Sequence, residues 1–181
     1  MVPVQGAMPG VVAELPRDGR PAALLVGARR EAMARAGRLL AARPRSEAEI
    51  TDRLSDAGFE PAVVAAVVDR LRTLGLLDDS EFALQWVRER AARKGLSARA
   101  LLHELQGKGV DRDTAQAALE GAGLDEVAQA TELAARYVRR VASKPLREQA
   151  ARIQQMLARR GYDREASEAA TRAVLPPDGW D

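Results

Sequence analysis

The chain has 181 residues, 46% hydrophobic, 30% charged and only 3% aromatic, with a net charge of +2, the balance of a soluble globular protein with an Ala, Leu and Val core. It has no cysteine and one histidine, His103, which excludes disulfide staples, cysteine-ligated zinc and thiol nucleophiles and leaves almost nothing for a histidine metal site. The longest apolar run, Ala62 to Val68, falls far short of the ~20 residues that cross a bilayer; with no signal-like N-terminus, a cytoplasmic location and no membrane partner are expected.

Residues 1–27 carry Pro3, Pro9, Pro16 and Pro21 with four glycines and no sustained helical period, the pattern of a flexible tail. A first three-helix unit is expected over 28–77. Its opening amphipathic helix covers about 28–42, and Ser46-x-x-Glu49 is a capping box that starts the second helix. Gly58 stops that helix, because glycine takes the left-handed conformation without steric cost, and Pro61 suits the first turn of the third. The second unit, 78–124, repeats the order: a helix over 79–93, Ser97 as cap, Gly109 as stop and Asp111 as the next cap. The third unit, 125–175, has a helix over 125–142, a stop at Gly161 and a cap at Asp163, and Pro176-Pro177-Asp178-Gly179 begins a C-terminal tail over 176–181.

The three units share one register. Ile50, Leu101 and Ile153 correspond, as do Leu54, Leu105 and Leu157, and Gly58, Gly109 and Gly161, at spacings of 51 and then 52 residues. An apolar pair at i and i+4 marks the buried face of a helix, and the residue after each glycine (Phe59, Val110, Tyr162) is apolar enough to fold back on the helix it has left. The expected fold is all-α: three tandem three-helix repeats in an elongated, curved array whose small units support one another.

Charge follows the same period. Residues 28–45 carry +5, 46–87 −6, 88–108 +4, 109–135 −5, 136–160 +7 and 161–181 −3. Helix dipoles favour acids at helix starts and bases at helix ends, but 136–160 spans a helix end, a loop and most of another helix with eight bases against one acid. A basic stripe is therefore expected along one side, made by Arg43 and Arg45 in the first unit, Arg88, Arg90, Arg93, Lys94 and Arg99 in the second, and Arg136, Arg139, Arg140, Arg159 and Arg160 in the third. Such a stripe draws a polyanion or an acidic protein groove. Arginine supplies all but three of the 28 bases; codon bias accounts for that, though its planar fork also suits phosphate and carboxylate.

Nothing in the chain supports catalysis. It has no glycine-rich phosphate loop, zinc spacing or nucleophile elbow; no catalytic residue, cofactor or metal is expected. His103 reads as structural, Phe82 with Trp86 as packing, and Asp78-Asp79 as a helix start. Tandem helix-turn-helix modules would place each third helix in the major groove. Here those helices read "PAVVAAVVDRLRTL", "DRDTAQAALEGA" and "DREASEAATRAV", apolar or acidic, so direct base readout is not expected.

The stretches "RPRSEAEITDRLSDAGF" (43–59), "LGLLDDSEFALQWVRERAARKG" (74–95) and "HELQGKGV" (103–110) together resemble the RecX family of regulators of the RecA recombinase, over about residues 29 to 175. Many members have Gly-Pro where this chain has Leu96-Ser97, and Ser97 still offers a cap. The resemblance implies three tandem three-helix repeats and a non-enzymatic inhibitor, active in DNA repair and recombination. Such proteins bind the RecA filament on single-stranded DNA and restrain its ATPase and strand exchange. A monomer is expected, with weak, sequence-independent binding of single-stranded DNA as a second contact. The stripe could face DNA phosphates, acidic RecA surfaces or both. A nucleic-acid-binding architectural or regulatory module with no recombinase partner is the alternative, and a helical scaffold ranks third.

Overall fold

In the computed structural model, which describes residues 22–176, helices make up the chain from Ala22 to Val174 and no strand occurs among the described residues. The helices are α1 (Ala22–Ala42), α2 (Glu47–Ser55), α3 (Pro61–Thr73), α4 (Asp79–Lys94), α5 (Ala98–Gln106), α6 (Arg112–Ala122), α7 (Glu126–Val141), α8 (Leu146–Ala158) and α9 (Arg164–Val174). They form three units of three, in which first and third helices pack most extensively: α1 with α3, α4 with α6, α7 with α9. The all-α repeat architecture is as the spacing requires.

Local chemistry sets the helix limits. Ser46 accepts from the Glu49 amide while the Glu49 carboxylate takes the Ser46 amide, a complete capping box. Ser97, Asp111 and Asp163 cap α5, α6 and α9 through the first-turn amides of Ala100, Thr114 and Ala166. Pro61 stands in the first turn of α3, where its missing N–H is no loss. After α2, α5 and α8 the chain makes one and the same turn. Gly58, Gly109 and Gly161 have φ of 84°, 76° and 91°, and the amides of Phe59, Val110 and Tyr162 reach back to the carbonyls of Leu54, Leu105 and Leu157, a Schellman closure.

One expectation needs correction. The first helix begins at Ala22, so residues 22–27, placed in the N-terminal tail, are helical, and Leu25 and Ala28 pack on the first core. Leu25 extends the apolar face by which α1 meets the first core, while Leu24 and Val26 stay exposed. Residues 1–21 and 177–181, the rest of the two expected tails, lie outside the described residues. The three units keep separate cores. Ile50, Leu54, Val63, Val67 and Leu71 form one cluster; Val87, Leu101, Leu105 and Ala115 a second; Ala130, Ala134, Ile153, Leu157 and Ala170 a third. Each unit is a small bundle closed on itself, and the units meet through narrow joints.

Candidate nucleic-acid or partner interface

The joints are built from helix ends. At the first, the turn after α5 docks on the start of α2: Ser46 Oγ donates to the Lys108 carbonyl (2.6 Å), and the Glu47 amide donates to Asp79 Oδ1 (2.9 Å) at the start of α4. At the second, the turn after α8 docks on the start of α5: the Ser97 amide donates to the Arg160 carbonyl (3.0 Å), and the Ala98 amide donates to Glu126 at the start of α7. In both, the free amides at a helix start are satisfied by the next unit. Glycine is required there for a second reason. A Cβ on Gly109 would lie 2.2 Å from Ala48 Cβ, and one on Gly161 2.7 Å from Ala100 Cβ, whereas one on Gly58 would meet nothing within 4 Å.

The expected cations gather near the ends of α1, α4, α7 and α8, and the joints group them into two concavities. One, of about 250 Å³, lies between α1 and α4 and is lined by Arg43, Pro44, Phe82, Gln85, Trp86, Glu89 and Arg90. The other, of about 240 Å³, lies between the end of α4 and helices α7 and α8; Arg93, Lys94, Arg136, Arg140 and Arg160 line it around Gly95, Leu133, Tyr137 and Met156. The second brings together five of the twelve predicted stripe residues. Arg88, Arg99, Arg139 and Arg159 are exposed but line neither concavity. Arg45 lies apart, its Nε donating to the Leu39 carbonyl.

The concavities differ in how their charge is compensated. In the first, Glu49 accepts from Arg43 Nη2 (2.8 Å) and Lys108 Nζ (3.0 Å). Burial alone would raise the Glu49 carboxyl, but these two cations outweigh it and hold it at about 2. Glu104 takes the Trp86 indole N–H (2.9 Å) and pairs with Arg90 (3.3 Å), while Arg90 and Lys108 lie 4.2 and 4.4 Å from the Trp86 ring centre. Trp86 also lies 5.8 Å from the buried Phe82 ring, so it packs within the second unit and anchors cations there.

No carboxylate lines the second concavity. Arg93 and Arg136 pair with Glu89 and Glu132 on their own helices, at 2.7 and 3.7 Å, with both partners exposed, and Lys94 lies 3.8 Å from Glu104. Exposed pairs of this kind contribute little and exchange readily. Arg160 donates to the Lys94 and Met156 carbonyls at 3.2 and 3.3 Å. Among the described residues, Arg88, Arg99, Arg139, Arg140 and Arg159 have no carboxylate within ion-pair distance. Lys108 and Glu104 matter to this electrostatics and escaped the sequence reading, which gave Glu49 only its capping role; aligning Lys108 with Arg160 would have exposed the first.

Chemically, the arrangement offers fixed donors and positive charge for an anion. His103 is exposed, and no cluster of His, Asp or Glu able to hold a metal occurs among the described residues. No helix is long and apolar enough to cross a membrane among those residues.

Comparison with known proteins places the whole repeat. The descriptions "RecX, first three-helix domain", "RecX, second three-helix domain" and "RecX, third three-helix domain" match residues 32–71, 78–119 and 125–170. The regulatory protein RecX of Thermobifida fusca (strain YX) is 39% identical over 166 residues, covering 90% of each chain. That of Mycobacterium ulcerans (strain Agy99) is 46% identical over 132 residues, 69% of this chain and 73% of the relative. The crystal structure of RecX from Lactobacillus salivarius superposes with a TM-score of 0.74 at 20% identity over 82% of this chain and 97% of that one, a likeness of fold.

Proposed function

The chain belongs to the RecX family of regulatory proteins, and from that premise we propose that it is a non-enzymatic inhibitor of the RecA recombinase. It binds the RecA filament on single-stranded DNA, restrains its ATPase and strand exchange, and acts as a cytoplasmic monomer in DNA repair and recombination. The observation that carries this reading is the set of cations in the second and third units that its own carboxylates leave without a partner, Arg139, Arg140 and Arg159 foremost. A tandem array of small units, each with its own core, offers such cations to a long, repetitive anionic partner.

Reversing Arg136, Arg139 and Arg140 to Glu tests it. All three are exposed on α7, so the variant keeps its helical circular dichroism and thermal midpoint. Each lost attraction also becomes a repulsion, and suppression of the DNA-dependent ATPase of RecA is expected to disappear. A folded variant that inhibits at wild-type concentrations overturns the role of the stripe.

The carboxylate-free second concavity favours a further reading, a nucleic-acid-binding module with no recombinase partner. Salt-titrated binding to single-stranded DNA, with and without RecA filament, separates the two. Binding to filament that persists at salt where naked DNA is released supports the inhibitor; parallel loss of both supports the module.

A further inference from the structure

The two joints are repeats of one another, and they differ in the carboxylates beside their cations: Glu49 corresponds to Ala100, and Glu104 to Met156. Glu49 is the third residue of α2 after its cap Ser46, and Ala100 is the third residue of α5 after its cap Ser97. In the first joint, Glu49 accepts from Arg43 just beyond α1 and from Lys108 in the docking turn. The corresponding positions of the second joint are Lys94 at the end of α4 and Arg160 in the docking turn, each one residue before its glycine or proline counterpart. Both cations remain and the carboxylate between them is gone, which leaves Lys94 only the distant Glu104 at 3.8 Å. The Ser97 amide, whose counterpart donates to Glu49, donates to the Arg160 carbonyl instead, which draws the Arg160 turn against Lys94.

We propose that the second joint is the seat of an external phosphate group, which supplies to Lys94, Arg140 and Arg160 the negative charge that Glu49 supplies to Arg43 and Lys108 in the first. Three features fit phosphate. The cavity of about 240 Å³ holds a single such group with a few waters. Its donors approach from two units, from the end of α4, from α7 and from the turn after α8, matching the spread of acceptor oxygens on a tetrahedral anion, and arginine forks suit that geometry. Its floor of Leu133, Tyr137 and Met156 lowers the local dielectric and strengthens each contact. The phosphate belongs to a nucleic-acid backbone, because Arg139 and Arg159 stand outside the cavity with no carboxylate partner and so extend the positive surface past one group. This deepens the function proposed above and depends on it only for where the nucleic acid is met, on the filament.

The test uses the full chain and a fluorescent oligothymidylate, titrated with salt, with inorganic tripolyphosphate and polyglutamate as competitors. Ala100→Glu places a carboxylate beside Lys94 and Arg160 without removing a helix-forming residue. It is expected to weaken oligothymidylate binding about tenfold and to flatten the log–log salt dependence by about 0.7, one single-strand phosphate contact. Ala100→Gln leaves binding near wild type. The reciprocal change, Glu49→Ala, frees Arg43 and Lys108 and is expected to steepen the salt dependence by a similar amount. Circular dichroism shows which variants fold; if Ala100→Glu or Glu49→Ala does not, Arg140→Ala on the exposed face of α7 carries the test with the same expected loss of slope.

Wild-type affinity and slope in folded Ala100→Glu, or in Arg140→Ala, overturns the seat. Tripolyphosphate that displaces the oligonucleotide at equal phosphate concentration overturns the backbone as its source. Polyglutamate that outcompetes oligothymidylate overturns phosphate in favour of a protein carboxylate. The RecA ATPase assay keeps the two proposals apart. Ala100→Glu that loses oligothymidylate yet still inhibits supports the seat and removes it from inhibition; one that keeps oligothymidylate and stops inhibiting overturns the seat while leaving the inhibitor standing.

Discussion

Glu49 shows how much one side chain holds in this molecule. Its carboxyl titrates at about 2 against an ordinary 4.5, since hydrogen bonds from Arg43 and Lys108 overcome the opposing effect of burial. A depressed folded-state value means stability that is fully present above about pH 4.5 and lost as pH falls toward 2. Wild-type protein is therefore expected to lose thermal midpoint across that window, and Glu49→Gln to start lower at neutral pH and respond less across it. Parallel curves for the two would separate Glu49 from the acid response. Glycine offers a second residue-scale comparison. Gly58→Ala and Gly109→Ala both place a side chain at positive φ, a strain of about 1–2 kcal/mol. Only Gly109→Ala also drives a Cβ into Ala48 of the neighbouring unit, and it is expected to cost about 1–3 kcal/mol more. Equal losses in chemical denaturation would show that the joint contributes nothing at that position.

At the scale of the element, α5 and α2 differ mainly in what they carry outward. Leu101 and Leu105 are fully buried in α5, as Ile50 and Leu54 are in α2 and Ile153 and Leu157 in α8. Truncating Leu105 to Ala is expected to cost about 2–5 kcal/mol. Because the cores are separate, amide-exchange protection should fall most in α4, α5 and α6 and less in the flanking units. Uniform loss along the chain would mean that the joints couple the cores more tightly than their hydrogen bonds suggest. The first helix is legible in part: its periodic face is plain from residue 28, but the turn before it, rich in small residues, has no cap to announce it. Leu25 packs on the first core while Leu24 and Val26 remain more than half exposed. A chain starting at Ala22 should match wild type in midpoint, and one starting at Ala28 should lose about 1 kcal/mol with the Leu25 contact; no difference between the two would make that contact dispensable.

The whole molecule is a string of three small bundles joined by polar seams. Apolar burial holds each unit, while the joints rest on cap hydroxyls, helix-start amides and, at the first only, the Arg43–Glu49–Lys108 bridge. Cooperativity across such seams is incomplete in repeat proteins. Calorimetry is expected to give an unfolding enthalpy larger than the van't Hoff value, and the second joint to separate before the first at low ionic strength, where repulsion among its cations is least screened. A single two-state transition at all salt concentrations would refute this.

The sequence by itself determined the number of units, their helix starts and stops and their buried faces. These are properties of short stretches: a cap hydroxyl three residues before an amide, a glycine at positive φ, leucines one turn apart. It also determined which blocks are basic. Whether a cation is free or already engaged was beyond its reach, because that depends on partners far away along the chain. Lys108 meets Glu49 at a separation of 59 residues, and Arg160 meets the Lys94 carbonyl at 66. Only the docking of one unit's turn on another's helix start brings those groups within hydrogen-bond distance. That docking sets Glu49 between Arg43 and Lys108 at the first joint and leaves no carboxylate lining the second concavity.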